Sequence, residues 1–320
     1  MIADFFKRML ILVRREVWES PFAFKWTPLM IFGFLALMIG LALILGARVD
    51  NQMSFTLDGI RMWAETDPEQ KRLMMTGGMF SIGILFHQIM FLVVIFYLAG
   101  SLYDDRKDRS ILFWKSLPVS DQLTVASKLL TAMIAAPLLF LAGIALTHLL
   151  ILVVASFYAL AAGINPFTEV WLPANPPLIW FVMLLGSLVQ SLWLLPIYAW
   201  LMFCSSWAPR LPILIAFIVP ALVGLFQHFW SLLTSMSLPG MNLFVIIFER
   251  IGKGVMPSSI DWQEVMKQGN TVTYSPMADQ LVSLKSILQV LITAEMWIGV
   301  AIGLLLLAGA VWFRRRATDN

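Results

Sequence analysis

Three histidines, His87, His148 and His228, are the side chains of this sequence best suited to moving a proton or holding a metal ion. Each sits in a different apolar run. No pair has the spacing that puts two imidazoles on one helix face, and no His-Glu-x-x-His occurs. The single cysteine, Cys204, excludes a disulfide framework within the chain and a cysteine-cluster metal site. Phosphate chemistry is equally unsupported. A P-loop needs a glycine-rich turn ending in Gly-Lys-Ser/Thr, and the one Gly-Lys pair, Gly252-Lys253, runs on into Gly254. The chain cannot hydrolyse ATP by that route. No catalytic, cofactor-binding or metal-ligating residue is therefore assigned. The carboxylates Asp58, Glu65, Asp67 and Glu69, with His87 and His148, leave open a membrane-embedded enzyme acting on lipids or peptides.

Composition describes the surroundings of these groups. Of 320 residues, 60% are hydrophobic and 13% charged, and mean hydropathy is +0.83. A soluble domain is about a quarter charged. So large an apolar excess cannot be folded into one core, which makes lipid the natural solvent. The net charge of +3 and pI of about 9.1 would suit nucleic acid in a soluble protein. Here Lys and Arg gather at the ends of apolar runs, a pattern of membrane orientation. No nucleic-acid partner is expected.

A spanning helix needs about 20 mostly apolar residues. Six segments qualify: 27–46, 79–99, 130–156, 178–203, 211–229 and 291–313. The fourth and fifth are joined by the short turn Ser205-Ser206-Trp207-Ala208-Pro209-Arg210, as in a tight helical hairpin. An even number of spans puts both termini on one side. That side carries fourteen Lys and Arg against eight on the other, and Arg314-Arg315-Arg316 follows the last span directly. Both termini are expected in the cytoplasm, with the chain in a bacterial inner (plasma) membrane. The N-terminus does not read as a cleavable signal, because Arg14-Arg15-Glu16 interrupts its apolar run, and it is expected to be retained. The outer loops are 47–78 and 230–290. The second holds an apolar run, Met241 to Phe248, too short to span and expected to be a re-entrant or surface helix. No internal repeat is visible, so an inverted-repeat carrier is not supported.

Residues 3–19 behave differently from the spans. On a helical wheel Phe5, Phe6, Met9, Leu10, Leu12, Val13 and Val17 share one face, and Asp4, Lys7, Arg8, Arg14, Arg15 and Glu19 the other. Ile11, Glu16 and Trp18 fall on the wrong sides. A basic amphipathic helix lying in the interface plane is expected, with a plain solvated helix as the alternative. Ser20-Pro21 ends it before the first span.

The connection between the second and third spans, 103–121, is the segment richest in functional signals. It runs from Tyr103 through Asp104-Asp105-Arg106-Lys107-Asp108-Arg109 to Ser110-Ile111-Leu112-Phe113-Trp114-Lys115-Ser116-Leu117-Pro118-Val119-Ser120-Asp121. Four-residue spacing would make Asp104 repel Asp108 and Asp105 attract Arg109 on a helix. An aromatic, apolar run follows where a loop would be polar, Pro118 ends it, and Ser120 suits the N-cap of the third span. Such a patch needs a protein partner or the membrane surface to cover it. Within the spans, His87, Gln88, His148, Gln190, Gln227 and His228 are polar groups at a costly depth, and Glu295 falls at the outer interface. Each either makes an interhelical hydrogen bond or lines a pathway.

The N-terminal helix, six spans, the Asp-Arg-Ser-Ile-Leu-Phe-Trp-Lys-Ser-Leu-Pro-Val-Ser segment and the long loop before the last span together resemble an ABC-2-type transporter permease. The resemblance implies an all-α membrane protein of type V exporter-like architecture, with an interfacial helix, six transmembrane helices and short helices dipping back into the membrane before the last span. It implies that 103–121 is a coupling helix seated in a groove of a separate ATPase, with Asp105, Arg109, Ile111, Leu112, Phe113, Trp114, Lys115 and Pro118 carrying the contact. It places His87, Gln88 and Gln227 along the translocation path. Two permeases, as a homodimer or with a paralogue, would work with two ATPase subunits that use ATP and Mg. The cargo would be hydrophobic or lipid-like and move by alternating access. A sensory or scaffold subunit without a transport cycle remains the other alternative.

Overall fold

Proline decides where the helices of this chain bend. The structure, a computed structural model, describes residues 2–46, 59, 61–116, 119–234, 242–255 and 284–316. Of the groups singled out above, Asp58, Pro118 and Met241, and the side chains of Asp4, Phe113, Trp114 and Lys115, lie outside the described residues. The described residues form helices and contain no strand. In chain order they are α1 (Ile2–Glu19), α2 (Thr27–Gly46), α3 (Pro68–Lys107), α4 (Ser110–Ser116), α5 (Asp121–Leu130), α6 (Ala136–Ala161), α7 (Pro176–Trp193), α8 (Leu195–Trp207), α9 (Pro212–Thr234), α10 (Leu243–Val255), α11 (Leu284–Ile292) and α12 (Ala294–Arg316).

Three π-helical turns, Phe22–Trp26, Thr131–Ala135 and Phe167–Trp171, share one cause. Each is followed two residues on by a proline: Pro28, Pro137 or Pro173. Proline has no N–H and its ring crowds the carbonyl four residues back. The turn before it widens, and the preceding N–H reaches back five residues: Thr27 to Phe22, Ala136 to Thr131, Leu172 to Phe167. The chain still runs on as helix, so α5 and α6 form one 41-residue rod, Asp121–Ala161.

Six helical segments are long and apolar enough to cross a membrane: Phe22–Leu45, Pro68–Lys107, Asp121–Ala161, Phe167–Trp193, Pro212–Ser231 and Ala294–Arg316. They match the six expected runs and correct their ends. The second and third extend well beyond 79–99 and 130–156, because a helix does not stop where its apolar residues do. At 1.5 Å per residue the 40-residue α3 is about 60 Å long, twice the hydrocarbon core. Residues 73–103 of α3 carry no Asp, Glu, Lys or Arg, which leaves charge only towards its ends.

The fourth run, 178–203, is two helices. Pro196 cannot donate to Leu192, Leu194 takes a non-helical ψ of 0°, and Ile197 and Tyr198 N–H both turn to Leu194 O. Together α3, α6, α7, α8 and α12 form the interior. Gly303 brings α12 against the backbone of Leu195, and Gly309 brings it against the ring of Phe203. By contrast, the windows on α2 and α9 are only 6% and 11% buried, and their Phe, Leu and Met side chains face outwards. The apolar run expected as a re-entrant or surface helix is α10. It leads, across residues outside the described set, to α11.

Candidate functional site

The segment 103–121 leaves the bundle through a knot of buried charge. Asp105, near the C-terminus of α3, faces inwards and takes two cations: Lys128 Nζ of α5 at 3.4 Å from Oδ1, and Arg314 of α12, whose NH1 donates to Oδ2 at 2.8 Å. Lys128 also donates to Glu16 Oε2 of α1 at 3.1 Å, and the Tyr97 hydroxyl donates to the same oxygen at 3.0 Å. Arg15 pairs with the other Glu16 oxygen and, at 3.4 Å, with Glu19. Arg314 Nε lies 3.2 Å from Asp121 Oδ1. Glu16, Lys128 and Arg314 are 1%, 4% and 2% exposed, so this is interior chemistry. A buried ion costs several kcal/mol unless paired, and here each one is. Outside this core, burial holds the Glu19 carboxyl above its ordinary value, with Arg15 pulling the other way.

The pairing of Asp105 with Arg109 expected from their spacing does not form. Helix α3 stops at Lys107, and Arg109 takes a left-handed backbone with φ of 57°. Asp105 is instead drawn to cations on α5 and α12. The break frees Ser110–Ser116 as the separate helix α4, tied back by Ser110 Oγ donating to Asp105 O at 3.3 Å. Within α4, Ile111 is buried while Leu112 faces outwards. Ser120 caps α5 as expected, its Oγ accepting from Leu123 N–H at 3.3 Å. On the other flank of α3, Arg106 donates to the carbonyls of Ser205 and Ala208, both at 2.8 Å, and fastens the α8–α9 turn.

The polar groups inside the spans are mostly used up in helix contacts. His87 Nδ1 donates to Gly83 O at 2.8 Å, and its Nε2 meets Ser187 Oγ of α7. His148 Nε2 donates to Met79 O at 3.1 Å, and its Nδ1 accepts from the Trp180 indole at 3.1 Å. Gln190 Oε1 is buried without a hydrogen bond among the described residues. Gln88 faces outwards, and Gln227 Oε1 accepts from Leu243 N–H at 2.9 Å, joining α9 to α10. Among the described residues no group of three His, Cys, Asp or Glu could hold a metal.

Two features went unread in the sequence. Arg250 of α10 fits the break between α7 and α8: its Nε donates to the freed Trp193 carbonyl at 2.8 Å, and the Trp193 indole donates to Arg250 O at 3.0 Å. At the far end of α3, Lys71 meets Glu169 at 2.6 Å. Glu16 did leave a trace, as a carboxylate on the apolar side of its wheel. Lys128 and Arg314 left none, since each reads as an ordinary charge at the edge of a span.

Beside the charge network an open cavity of 830 Å3 lies between α1, α3 and α5. None of His87, Gln88 and Gln227 lines it. Comparison of the chain with protein-family models, characterised proteins and solved structures finds no match.

Proposed function

We propose that this chain is the membrane permease subunit of an ATP-binding cassette exporter of the ABC-2 type, driven by a separate ATPase that docks on α4. The observation that carries this reading is the build of α4. It is a short helix set off from α3 by the left-handed Arg109, next to a buried network that ties the end of α3 to α1, α5 and α12. A push on α4 would be passed to four helices at once, because a buried ion network moves as a unit or breaks at high cost. The exposed Leu112 supplies apolar surface that a partner would cover, and Phe113 and Trp114 follow it in the sequence.

Other features fit the same assignment. Helix α1 keeps Phe5, Phe6, Leu10 and Trp18 exposed, as suits a helix lying at the interface on the cytoplasmic side of a bacterial inner membrane. Helices α10 and α11 precede the last span, where this type of permease has re-entrant helices. Alternating access would then be rigid tilting of the spans, with the ATPase binding ATP differently in the two states. The histidines favour a structural role over a catalytic one, since both ring nitrogens of His87 and His148 already have partners.

The test is co-purification with an ATPase encoded beside this chain. The wild-type chain is expected to retain the ATPase, and Trp114→Asp to lose it while still inserting in the membrane at normal level. Undiminished assembly of the Trp114→Asp chain would remove the coupling role. Absence of any associated ATPase would remove the exporter assignment.

A further inference from the structure

The cavity between α1, α3 and α5 is polarised along its length. One stripe of α3 forms its back wall. Ile89, Leu92, Val93 and Phe96 make the first part, and Ser101, Asp104, Asp105 and the capping Asp108 the second. From Ile89 to Asp108 is 19 residues, or about 28 Å of helix. One leaflet with its headgroup layer is about 20–22 Å thick, so the stripe runs from the apolar layer to beyond the headgroups. The apolar part is uncovered, with Leu92 54% and Phe96 65% exposed. The acidic part lies at the end of the bundle that carries α1 and Arg314.

The charge balance of the lining is one-sided. Five carboxylates, Glu16, Glu19, Asp104, Asp105 and Asp108, line the space with Lys128; Arg15 pairs with Glu16 and Glu19 and Arg314 with Asp105, which leaves Asp104 and Asp108 in excess. Lys128 is engaged by Glu16 and Asp105. Two other nearby cations are turned elsewhere: Arg106 to the Ser205 and Ala208 carbonyls, Lys25 over the Trp26 ring. Among the described residues neither Asp104 nor Asp108 has an ion-pair partner. A phosphate or carboxylate head would be repelled by these two carboxylates, whereas an ammonium would meet its complement.

We propose that this cavity binds a cationic amphiphile, with its ammonium head between Asp104 and Asp108 and its alkyl tail along Leu92, Val93 and Phe96. As a binding site it needs only the membrane-spanning fold. As the place where cargo is collected it rests on the exporter reading and gives that cargo a chemical class.

The experiment uses the full chain in phosphatidylcholine nanodiscs and a dodecylammonium probe carrying a photoreactive diazirine in its tail. Labelling is expected within 89–97 of α3. Unlabelled dodecylammonium should compete, and dodecanol, dodecyl phosphate and the tail-less butylammonium should not. Asp104→Asn with Asp108→Asn should raise the half-labelling concentration about five-fold, the worth of two partly exposed ion pairs. Val93→Trp, which fills the apolar part without touching charge, should abolish the label and serves if the double variant does not fold. Equal competition by dodecanol or dodecyl phosphate would overturn the proposal, as would label that persists in Val93→Trp. Displacement by phosphatidylethanolamine in the discs would make the groove a slot for zwitterionic lipid and overturn it too. No ATPase enters the assay, so its outcome is separate from that of the docking test.

Discussion

Glu16, Asp105, Lys128 and Arg314 form a buried set of linked charges, extended by Arg15 and Tyr97 at Glu16 and by Asp121 at Arg314. Removing one leaves buried charge under-compensated, which costs up to about 3–5 kcal/mol. Lys128→Met should therefore destabilise the protein by that amount, and Arg314→Gln should behave alike. Arg316, exposed and resting on the Trp312 ring, should change stability by about 0.5 kcal/mol or less as Arg316→Gln. Unfolding midpoints of the purified variants in detergent measure this, and similar losses for Lys128→Met and Arg316→Gln would dissolve the network as a unit. The contrast was hidden in the sequence, where Arg314, Arg315 and Arg316 look equivalent. The helical wheel did expose Glu16 as a charge out of place, because a helix repeat shows which face a residue is on. It does not show what that face meets.

At the scale of elements, periodicity and length foretold α1, the six spans and a helix after Met241. The breaks were less legible. Pro196 was visible, but its effect depends on whether the carbonyls it frees find donors, and Arg250 of α10 supplies one from 57 residues away. Arg250→Leu should leave the Trp193 carbonyl buried and unpaired at a cost of about 1–3 kcal/mol. It should also loosen α10, read as faster amide hydrogen exchange across 243–255 with the rest of the bundle unchanged. Exchange as slow as in the wild type would mean that α10 is held by its apolar face alone. Likewise the i to i+4 rule applied to Asp105 and Arg109 assumed one continuous helix, and the left-handed Arg109 removes that premise.

For the whole molecule, the Asp105 network and the Lys71–Glu169 pair mark the two ends of α3. They are 34 residues apart, about 51 Å along the helix, enough to bracket a bilayer with its interfaces. Cysteines placed at Asp108 and Arg316 should react with an impermeant maleimide from the same side of the membrane, and one at Glu69 from the other. Labelling of all three from one side would refute the transmembrane fold. The buried Cys204 should remain silent as background. That the chain has six segments long and apolar enough to cross a membrane was determined by the sequence alone, because length and hydropathy are properties of each segment and need no partner. Which charges neutralise one another was decided only by the tertiary structure. Glu16 reaches Lys128 across 112 residues and Asp105 reaches Arg314 across 209, and only the packing of α1, α3, α5 and α12 brings them within a hydrogen bond.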